Sequence, residues 1–308
     1  MTMSHYSATK ESGPTALLLI NKQARNGDSS ARYVKELLQQ SQISIVEPDE
    51  NDTGSCSDII RAYADRVDFV IIGGGDGTLN SAAPGLVDTG LPLGVLPLGT
   101  ANDFARTVGI PREIRQAVQV IANGQQRIVD LGEVNGHLFF NVSSIGFSAA
   151  LARGLSAKSK KRWGTLGYAL AAFKLLKQSR PFRVEIEHDG IKERVRTVQV
   201  SVGNGRFYGG GMAVADSAAP DDGLLDVYSL EVSHWWEMVA LIPFIRRGTH
   251  GRWRKVRAFS AKQLTLNTTR PHDINADGEL IGKTPAVFGI REKAIQVFVP
   301  PVPDKNLN

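Results

Sequence analysis

The residues best suited to chemistry form a glycine-rich run, Gly73-Gly74-Gly75-Asp76-Gly77-Thr78-Leu79-Asn80, directly after an apolar segment at residues 68–72. An apolar segment of this kind is typical of a buried strand, and ligands in parallel sheets bind beyond the carboxyl ends of the strands. Glycines there let backbone N–H groups approach a phosphate, and a following helix N-terminus adds partial positive charge. Asp76 would repel phosphate, so we expect it to act through a metal ion or water. The alternative is a tight turn that needs glycine only for its backbone.

The next apolar segment, residues 93–96, is followed by a second polar loop with the sequence Pro97-Leu98-Gly99-Thr100-Ala101-Asn102-Asp103-Phe104-Ala105. If both apolar segments are strands of one sheet, the polar side chains of this loop project toward the first loop. Capping of a following helix is an alternative role for Asp103. The sequence contains neither a Walker A motif nor a GxGxxG fingerprint. P-loop and Rossmann dehydrogenase folds therefore lose their usual support.

The elements that must position these loops alternate between strand and helix patterns. Hydrophobic patterning predicts strands at residues 16–21, 42–47, 68–72 and 93–96, and helices at 29–40, 57–65 and 114–123. Ser57 or Asp58 is the predicted N-cap of the second helix. Such alternation favours a parallel sheet with helices on its faces.

The pattern changes near Asp130. Short segments rich in Val, Ile and Phe, separated by turn residues, predict strands at 137–143, 183–188, 194–202, 223–230, 263–266 and 294–299. His188-Asp189-Gly190 predicts a tight hairpin, because Asp-Gly accepts the positive φ angles of such turns. Helical patterns interrupt the strands at 165–178 and 233–247. This half of the chain is predicted to be a mainly antiparallel β-sandwich.

Taken together, these motifs resemble the catalytic domain of the diacylglycerol kinase family, in particular the bacterial soluble lipid kinases. The family's GGDGT loop stands at residues 74–78 and its LGTxNDFAR loop at 98–106. Further matches are Asn204-Gly205, Gly209-Gly210-Gly211, Ala219-Pro220-Asp221-Asp222-Gly223-Leu224-Leu225-Asp226 and Asp277-Gly278-Glu279. The resemblance extends from Thr15 to Val299. It implies a nucleotide-binding α/β domain at residues 14–130, completed by 294–308, and a β-sandwich domain for lipid and metal at 131–293.

The resemblance also implies roles for individual residues. It implies an ATP site formed by Asn21, Gly74, Gly75, Asp76, Gly77, Thr78, Leu79, Asn80 and Thr100. It implies a structural Mg²⁺ bound by the side chain of Asp222 and the carbonyl oxygens of Ala219 and Leu224, a set of hard oxygen donors that suits this ion. Glu279 is the implied base that accepts the proton of a lipid hydroxyl, and Asp76 acts with it in catalysis.

Two segments depart from the family's pattern. After the first strand the family often has Asn-Pro-x-Ser-Gly, whereas this chain has Asn21-Lys22-Gln23-Ala24-Arg25-Asn26-Gly27. A basic residue, Lys22 or Arg25, is therefore a candidate for phosphate contact. At the end of the second strand many relatives have a threonine, and this chain has Glu47-Pro48-Asp49.

Composition bears on where the protein acts. Cys56 is the single cysteine, which excludes an intramolecular disulfide and favours a reducing compartment, the cytoplasm. The first residues lack the basic-then-apolar order of a secretory signal, and no stretch reaches the roughly 20 apolar residues of a spanning helix. We therefore expect a cytoplasmic protein that associates peripherally with the inner face of the membrane. The sequence leaves the oligomeric state open, a homodimer included.

The net charge of +5 is distributed unevenly. Between residues 233 and 272 the only acid is Glu237, and the basic residues there are Arg246, Arg247, Arg252, Arg254, Lys255, Arg257, Lys262 and Arg270. This excess indicates either a solvated face or attraction to an anionic surface. No nucleic-acid-binding signature accompanies it, so we favour an anionic membrane over nucleic acid.

Two helical patterns combine large apolar residues with nearby cations: Trp163, Leu166, Leu170 and Phe173 beside the basic residues at 158–162, and Trp235, Trp236, Leu241 and Phe244 before Arg246. Either helix is a candidate interfacial surface. The alternative for both is burial against the sandwich.

Two further functions remain open at this stage. A kinase of the same superfamily acts on a soluble acceptor such as NAD or a sugar phosphate, and a membrane adaptor senses nucleotide without turnover. The sensor is disfavoured because a protein without turnover does not need the base Glu279 beside Asp76. Among lipids, diacylglycerol, phosphatidylglycerol and sphingoid bases all offer a hydroxyl, and the sequence does not distinguish them.

Overall fold

The computed structural model describes residues 13–21, 27–49, 52–154 and 174–301. Seven helices in these ranges are numbered in chain order: α1 Gly27–Gln40, α2 Cys56–Tyr63, α3 Asp76–Thr89, α4 Asp103–Thr107, α5 Ile114–Asn123, α6 Phe147–Gly154 and α7 Trp235–Arg247. Residues 174–178 are also helical, and short 3-10 turns occur at Ala64–Arg66 and His250–Arg252. None of the helices in the described ranges is long and apolar enough to cross a membrane.

The described strands form three sheets. The first contains β1 Thr15–Ile20, β2 Ser44–Val46, β3 Phe69–Gly74, β4 Leu93–Pro97, β5 Gln125–Val134, β6 His137–Phe139, β8 Phe182–His188, β9 Ile191–Thr197, β15 Gln263–Thr268 and β18 Ala286–Val299. The second contains β7 Val142–Gly146, β10 Gln199–Gly203, β13 Leu225–Leu230, β14 Val256–Ala261, β16 Asp273–Ala276 and β17 Glu279–Lys283. The third is the hairpin of β11 Phe207–Tyr208 and β12 Met212–Ala213.

The N-terminal part is an α/β unit. β1 to β4 are parallel in the order β2-β1-β3-β4, and β3 and β4 are buried along their whole length. Because helices cover both faces, these strands are continuous apolar runs without alternation. The parallel arrangement brings the carboxyl ends of β3 and β4, where both polar loops start, to the same edge of the sheet.

The C-terminal part is a β-sandwich. The six-stranded sheet is antiparallel throughout, in the order β14-β13-β10-β7-β16-β17. Its inner face packs Ile145, Val200 and Val202 against Val184, Ile186 and Phe288 of the larger sheet. The predicted fold class, an α/β domain followed by a mainly antiparallel sandwich, is confirmed.

β18 belongs to both parts. Its second half pairs in parallel with β4 at Val297 and Leu93, and its first half pairs antiparallel with β15. β5 runs beside β18 along nearly its whole length, with an irregularity between Arg291 and Ile295. Within it Lys293 has φ +53° and donates its N–H to the buried Asp130 carboxylate, 2.6 Å away. The final strand is therefore longer than the predicted residues 294–299. Its first half was not predicted because the irregularity interrupts the strand pattern in the sequence.

Several local predictions were wrong. α4 occupies part of the segment predicted as a loop, and predicted strands 137–143 and 194–202 are each divided into two. The N-cap of α2 is Ser55, whose hydroxyl accepts the N–H of Asp58 while the Asp58 carboxylate accepts the N–H of Ser55. Ser57 is buried instead and donates to the carbonyl of Ser81. In the predicted helix 165–178, residues 165–173 lie outside the described ranges.

α7 is anchored by a buried carboxylate. Glu237 is 6% exposed and accepts the N–H groups of Ser233 and His234 at 2.8 and 3.1 Å. Its other oxygen accepts a hydrogen bond from the ammonium group of Lys255. The bond from Lys255, supported by the two N–H groups and opposed by burial, lowers the pKa of Glu237 to about 2.

The first prediction concerns stability against pH. Because the folded-state pKa of Glu237 is depressed, its contribution is complete above the unfolded value near 4.5 and disappears as the pH falls toward 2. Glu237→Gln should therefore be less stable than the wild type by about 1–3 kcal/mol at neutral pH, the usual value for lost bonds to a charged group. Urea titrations should show this difference shrinking between pH 5 and pH 2, in contrast to the matched variant Glu36→Gln on the exposed side of α1. A difference that stays constant with pH would contradict the assignment.

Candidate active site

The first polar loop connects β3 directly to α3. β3 ends at Gly74, Gly75 is the N-cap with φ −106°, and α3 starts at Asp76. The first N–H groups of the helix thus point out of the carboxyl edge of the sheet, where they can bind an anion. Asn21, at the end of β1, donates its amide N–H to Oγ1 of Thr78 at 3.1 Å and its backbone N–H to the carbonyl of Gly73. The structure therefore brings Asn21 and Thr78 together at this helix N-terminus.

Close packing, and not unusual φ angles, makes glycine necessary in these loops. A β-carbon on Gly74 would lie 2.6 Å from Cβ of Thr78. A β-carbon on Gly99 would overlap Cα of Gly75 and lie 2.7 Å from Oδ1 of Asn102. The two loops therefore touch backbone to backbone through Gly75 and Gly99. Gly77 is in a more open position, with Oε1 of Glu279 3.5 Å from the place of its β-carbon.

Asp76 connects the first loop to the second. Its carboxylate accepts the N–H groups of Asp103 and Phe104, at 3.2 and 3.0 Å, so it caps α4 from a distant part of the chain. The same carboxylate accepts the amide N–H of Asn141 at 3.2 Å. In this structure Asp76 therefore holds the two loops and the sandwich together. Its predicted action through a metal ion remains a prediction.

Asn102 and Asp103 shape the second loop. Asn102 has φ +52°, and its side chain accepts the N–H of Gly99 and donates to the carbonyls of Pro97 and Gly99. Asp103 is buried and accepts the N–H of Gly210, at 2.7 Å, and a guanidinium N–H of Arg106. Burial raises the pKa of Asp103. Asp103 thus fixes the glycine-rich segment at residues 209–211 against the second loop.

The remaining predicted nucleotide residues differ in their exposure. Thr100 is exposed at the rim of the second loop, and its carbonyl accepts from Arg112. The side chain of Leu79 is 3% exposed and belongs to the hydrophobic core, so only its backbone faces the site. Oδ1 of Asn80 is buried without a hydrogen-bond partner among the described residues. Lys22 and Arg25 lie outside the described ranges.

The Asp277-Gly278-Glu279 segment is the turn between β16 and β17. Asp277 and Gly278 have φ +47° and +96°, the conformation of a tight hairpin turn. The Asp277 carboxylate accepts three consecutive N–H groups, from Phe140 at 2.7 Å, Asn141 at 3.0 Å and Val142 at 3.1 Å. Burial outweighs these donors and raises the pKa of Asp277 to about 7, with the nearby charge of Asp76 adding to the shift.

Glu279 is therefore carried to the first turn of α3. It is the first residue of β17 and is exposed, and its Oε1 lies 3.5 Å from the position that a β-carbon of Gly77 would take. A carboxylate from the sandwich thus faces the helix N-terminus of the α/β unit across the junction of the two parts. This arrangement suits a base acting beside a bound phosphate group.

Asn141 is a site residue that the sequence analysis missed. It is 3% exposed and lies between β6 and β7, where it contacts both Asp76 and Asp277. Its carbonyl also accepts the N–H groups of Asn204 and Gly205. One feature of the sequence could have identified it: Asn141 lies inside the predicted strand 137–143, and asparagine is disfavoured in strands.

The predicted metal loop is rich in carboxylates. Asp221 forms a bidentate ion pair with Arg127, and Asp130 accepts the N–H of Gly223 at 2.9 Å. Asp222 accepts the N–H of Leu224 at 3.0 Å, and partial burial together with the charges of Asp130 and Asp221 raises its pKa. A cation would relieve this repulsion, so the oxygen donors fit Mg²⁺. No group of three or more His, Cys, Asp or Glu side chains in the described ranges is placed to hold a metal ion, and ligation by Ala219, Asp222 and Leu224 remains a prediction.

The second prediction tests the contact between the two loops. Gly99→Ala should lower the affinity for ATP roughly tenfold or more, because the added methyl group separates Gly75 from Gly99. Isothermal titration with Mg-ATP measures this effect. Gly289→Ala is the matched control, since no atom lies within 4 Å of its added methyl group. Equal affinities in two folded variants would show that the nucleotide does not need this loop contact.

Comparison with known proteins agrees with this geometry. Residues 15–134 match the family described as "Diacylglycerol kinase catalytic domain", and residues 141–299 match "YegS C-terminal NAD kinase beta sandwich-like domain". The chain is 31% identical to a diacylglycerol kinase of Bacillus subtilis over 87% of this chain and 91% of that protein. It is 32% identical to a diacylglycerol kinase of Staphylococcus aureus over 78% of this chain and 77% of that protein.

A solved structure leads to the same family. The crystal structure of a diacylglycerol kinase from Bacillus anthracis superimposes with a TM-score of 0.75 at 26% identity and covers 96% of this chain and 99% of that one. Sequence, fold and the order of the two parts thus agree. The chain belongs to the diacylglycerol kinase family, and the prediction of an ATP-dependent lipid kinase is confirmed.

Proposed function

We propose that this protein transfers the γ-phosphate of Mg-ATP to the hydroxyl group of diacylglycerol or a closely related membrane lipid. The observation that carries the proposal is the approach of Glu279 to the first turn of α3, with Oε1 3.5 Å from the β-carbon position of Gly77. A base is thereby held next to the N–H groups that would bind the phosphates. Diacylglycerol is the substrate named for the relatives from Bacillus subtilis and Staphylococcus aureus.

The residues divide the work of phosphoryl transfer. N–H groups of the first turn of α3 bind the phosphates and stabilise negative charge on the transferred group, with Asn21 and Thr78 fixing the helix start. Glu279 accepts the hydroxyl proton of the lipid at a carboxylate oxygen as the hydroxyl oxygen attacks the γ-phosphorus. The bond between that phosphorus and the β,γ-bridging oxygen breaks, and ADP leaves. Asp76 and Asp277 act through position, since both carboxylates are occupied by backbone N–H groups of the neighbouring loops.

Mg²⁺ belongs to this proposal in two places. Asp222 with the carbonyls of Ala219 and Leu224 would hold a structural ion, and Asp76, which is part of the first polar loop, would face a second ion beside the phosphates. When bound near the phosphates, the ion supplies neutralisation of negative charge. The protein itself contributes to the reaction by positioning the N–H groups of the loop and the carboxylate of Glu279.

The acceptor determines where the protein works. We place it in the cytoplasm, bound peripherally to the anionic inner face of the membrane, because its acceptor lies in a bilayer and its single cysteine suits a reducing compartment. Acceptors such as NAD or a sugar phosphate, and a sensor without turnover, are not favoured by the relatives. A homodimer stays a proposal that light scattering can decide.

The third prediction tests the base. Glu279→Gln keeps the shape of the side chain and removes its basicity, so kcat for phosphorylation of diacylglycerol should fall by about 10² or more while the Kd for ATP changes little. Asp76→Asn should weaken ATP binding as well, because it disturbs the contact between the loops. Glu292→Gln, which removes an exposed ion pair with Lys262, is the control for charge. Near-normal turnover of Glu279→Gln would refute the assignment.

The fourth prediction tests the metal loop. Mg²⁺ should raise the Tm of the wild type, and Asp222→Asn should abolish this rise because it removes the charged ligand. Asp221→Asn is a matched control in the same loop, since Asp221 pairs with Arg127. It should lose some stability and keep the Mg²⁺-dependent shift. Equal shifts in both variants, measured by differential scanning fluorimetry, would exclude Asp222 as a ligand.

A further inference from the structure

α7 is apolar on both of its faces. One face carries Met238, Leu241 and Ile245, which are buried against the outer face of the six-stranded sheet. For Leu241, the sequence left open an interfacial position or burial against the sandwich, and the structure shows burial. The opposite face, however, is exposed and also apolar. A helix that is hydrophobic all round normally has an apolar environment on every side.

The exposed face consists of two adjacent stripes at helical spacing. One stripe contains Trp235, Val239, Ile242 and Arg246, and the other contains Trp236, Ala240, Pro243 and Arg247. Trp236 is 55% exposed, Ile242 44% and Val239 40%. Each stripe has three successive apolar side chains and then ends in an arginine. Phe244, 36% exposed, broadens the apolar surface beside the second stripe.

Basic residues predominate among the charges around this face. Arg246 and Arg247 end the helix, and Arg252 and Arg254 follow after one turn, all of them exposed. Arg252 lies 3.6 Å from Asp216, a long contact for an ion pair. The one acid within α7, Glu237, is on the buried face and is neutralised by Lys255. The exposed apolar surface is therefore bordered by four exposed arginines, and only Arg252 has an ion-pair contact among the described residues.

This combination fits an anionic phospholipid surface. A bilayer interface receives large apolar side chains into the boundary between head groups and acyl chains, and tryptophan prefers that level. Cations next to such a face are attracted by anionic head groups, at about 1 kcal/mol for each residue near the surface. A protein partner would satisfy the apolar stripes equally well, but it gives no reason for a border of four exposed arginines.

We propose that the outward face of α7, together with Arg252 and Arg254, docks on an anionic phospholipid bilayer with the helix axis parallel to the membrane plane. The inference deepens the proposed function and rests on it for its purpose, since a lipid acceptor must be reached at a bilayer. It selects one of the two helices that the sequence offered as interfacial candidates.

The docking face is connected to the catalytic loops by a short path. α7 packs on β12, and the partner strand β11 packs on α4. Phe207 of β11 also donates its N–H to Oγ1 of Thr107 at the end of α4. The glycine-rich turn between β11 and β12 contacts Asp103. Docking of α7 therefore holds the second polar loop at a fixed distance from the membrane surface.

Vesicle co-sedimentation tests the proposal directly. The full chain should bind vesicles made of equal parts phosphatidylcholine and phosphatidylglycerol, and the double variant Trp236→Ser, Ile242→Ser should bind them at least about tenfold more weakly. Arg246→Gln, Arg247→Gln should lose most of the preference for these vesicles over pure phosphatidylcholine, and added salt should mimic this loss in the wild type. The control is the double variant Ile191→Ser, Val287→Ser. It alters two side chains of similar exposure, 52% and 57%, on β9 and β18.

The outcomes separate docking from catalysis. Wild-type binding by the Trp236→Ser, Ile242→Ser variant would overturn the docking proposal even if the protein phosphorylates diacylglycerol. If the variant loses vesicle binding and the wild type shows no lipid kinase activity, docking is supported and the proposed function is refuted. The variant should also retain its kcat on a short-chain diacylglycerol dispersed as monomers. If light scattering shows a wild-type dimer that this variant dissociates while vesicle binding is unchanged, α7 is a self-association surface and docking is refuted.

Discussion

The Asp277 carboxylate is bonded to the N–H groups of three consecutive residues, Phe140, Asn141 and Val142, and both sides of the site depend on this contact. On one side it fixes the tight turn that starts β17 and so determines where Glu279 points. On the other side the contact orients Asn141, whose amide group donates to the Asp76 carboxylate in the first polar loop. The contact is costly, because burial and the nearby charge of Asp76 both oppose ionisation of Asp277. Such a cost is usual where a polar network fixes a functional geometry.

The same logic explains the composition of the shared motifs. In Asp277-Gly278-Glu279, the aspartate anchors the turn, the glycine supplies φ +96° and the glutamate is left exposed. In the second loop, Asn102 takes the left-handed conformation and bonds its own loop, while Asp103 binds the glycine-rich turn. In both motifs an aspartate carboxylate that accepts backbone N–H groups fixes the local geometry.

Much of the fold was predictable because its signals are local. Fully apolar runs predicted β3 and β4, and the helix predicted at residues 114–123 agrees with α5. The glycine loops at the ends of these strands identified the edge of the sheet that carries the site. α4 was missed because its cap, Asp76, is 27 residues away in sequence from Asp103. Asn141 was missed because its partners Asp76 and Asp277 are 65 and 136 residues away. Contacts of this range leave no periodic pattern in the sequence.

The sharing of β18 has a consequence for the order of folding. The parallel sheet of the α/β unit continues from β4, at Leu93, to Val297, so a central strand of the first unit is encoded after the whole sandwich. Contacts of such long sequence separation form late, because the intervening loop must first be closed. During synthesis, the edge of β4 stays unpaired until β18 has been made. The two polar loops, which extend from β3 and β4, therefore acquire their final support only after the sandwich strands have been translated.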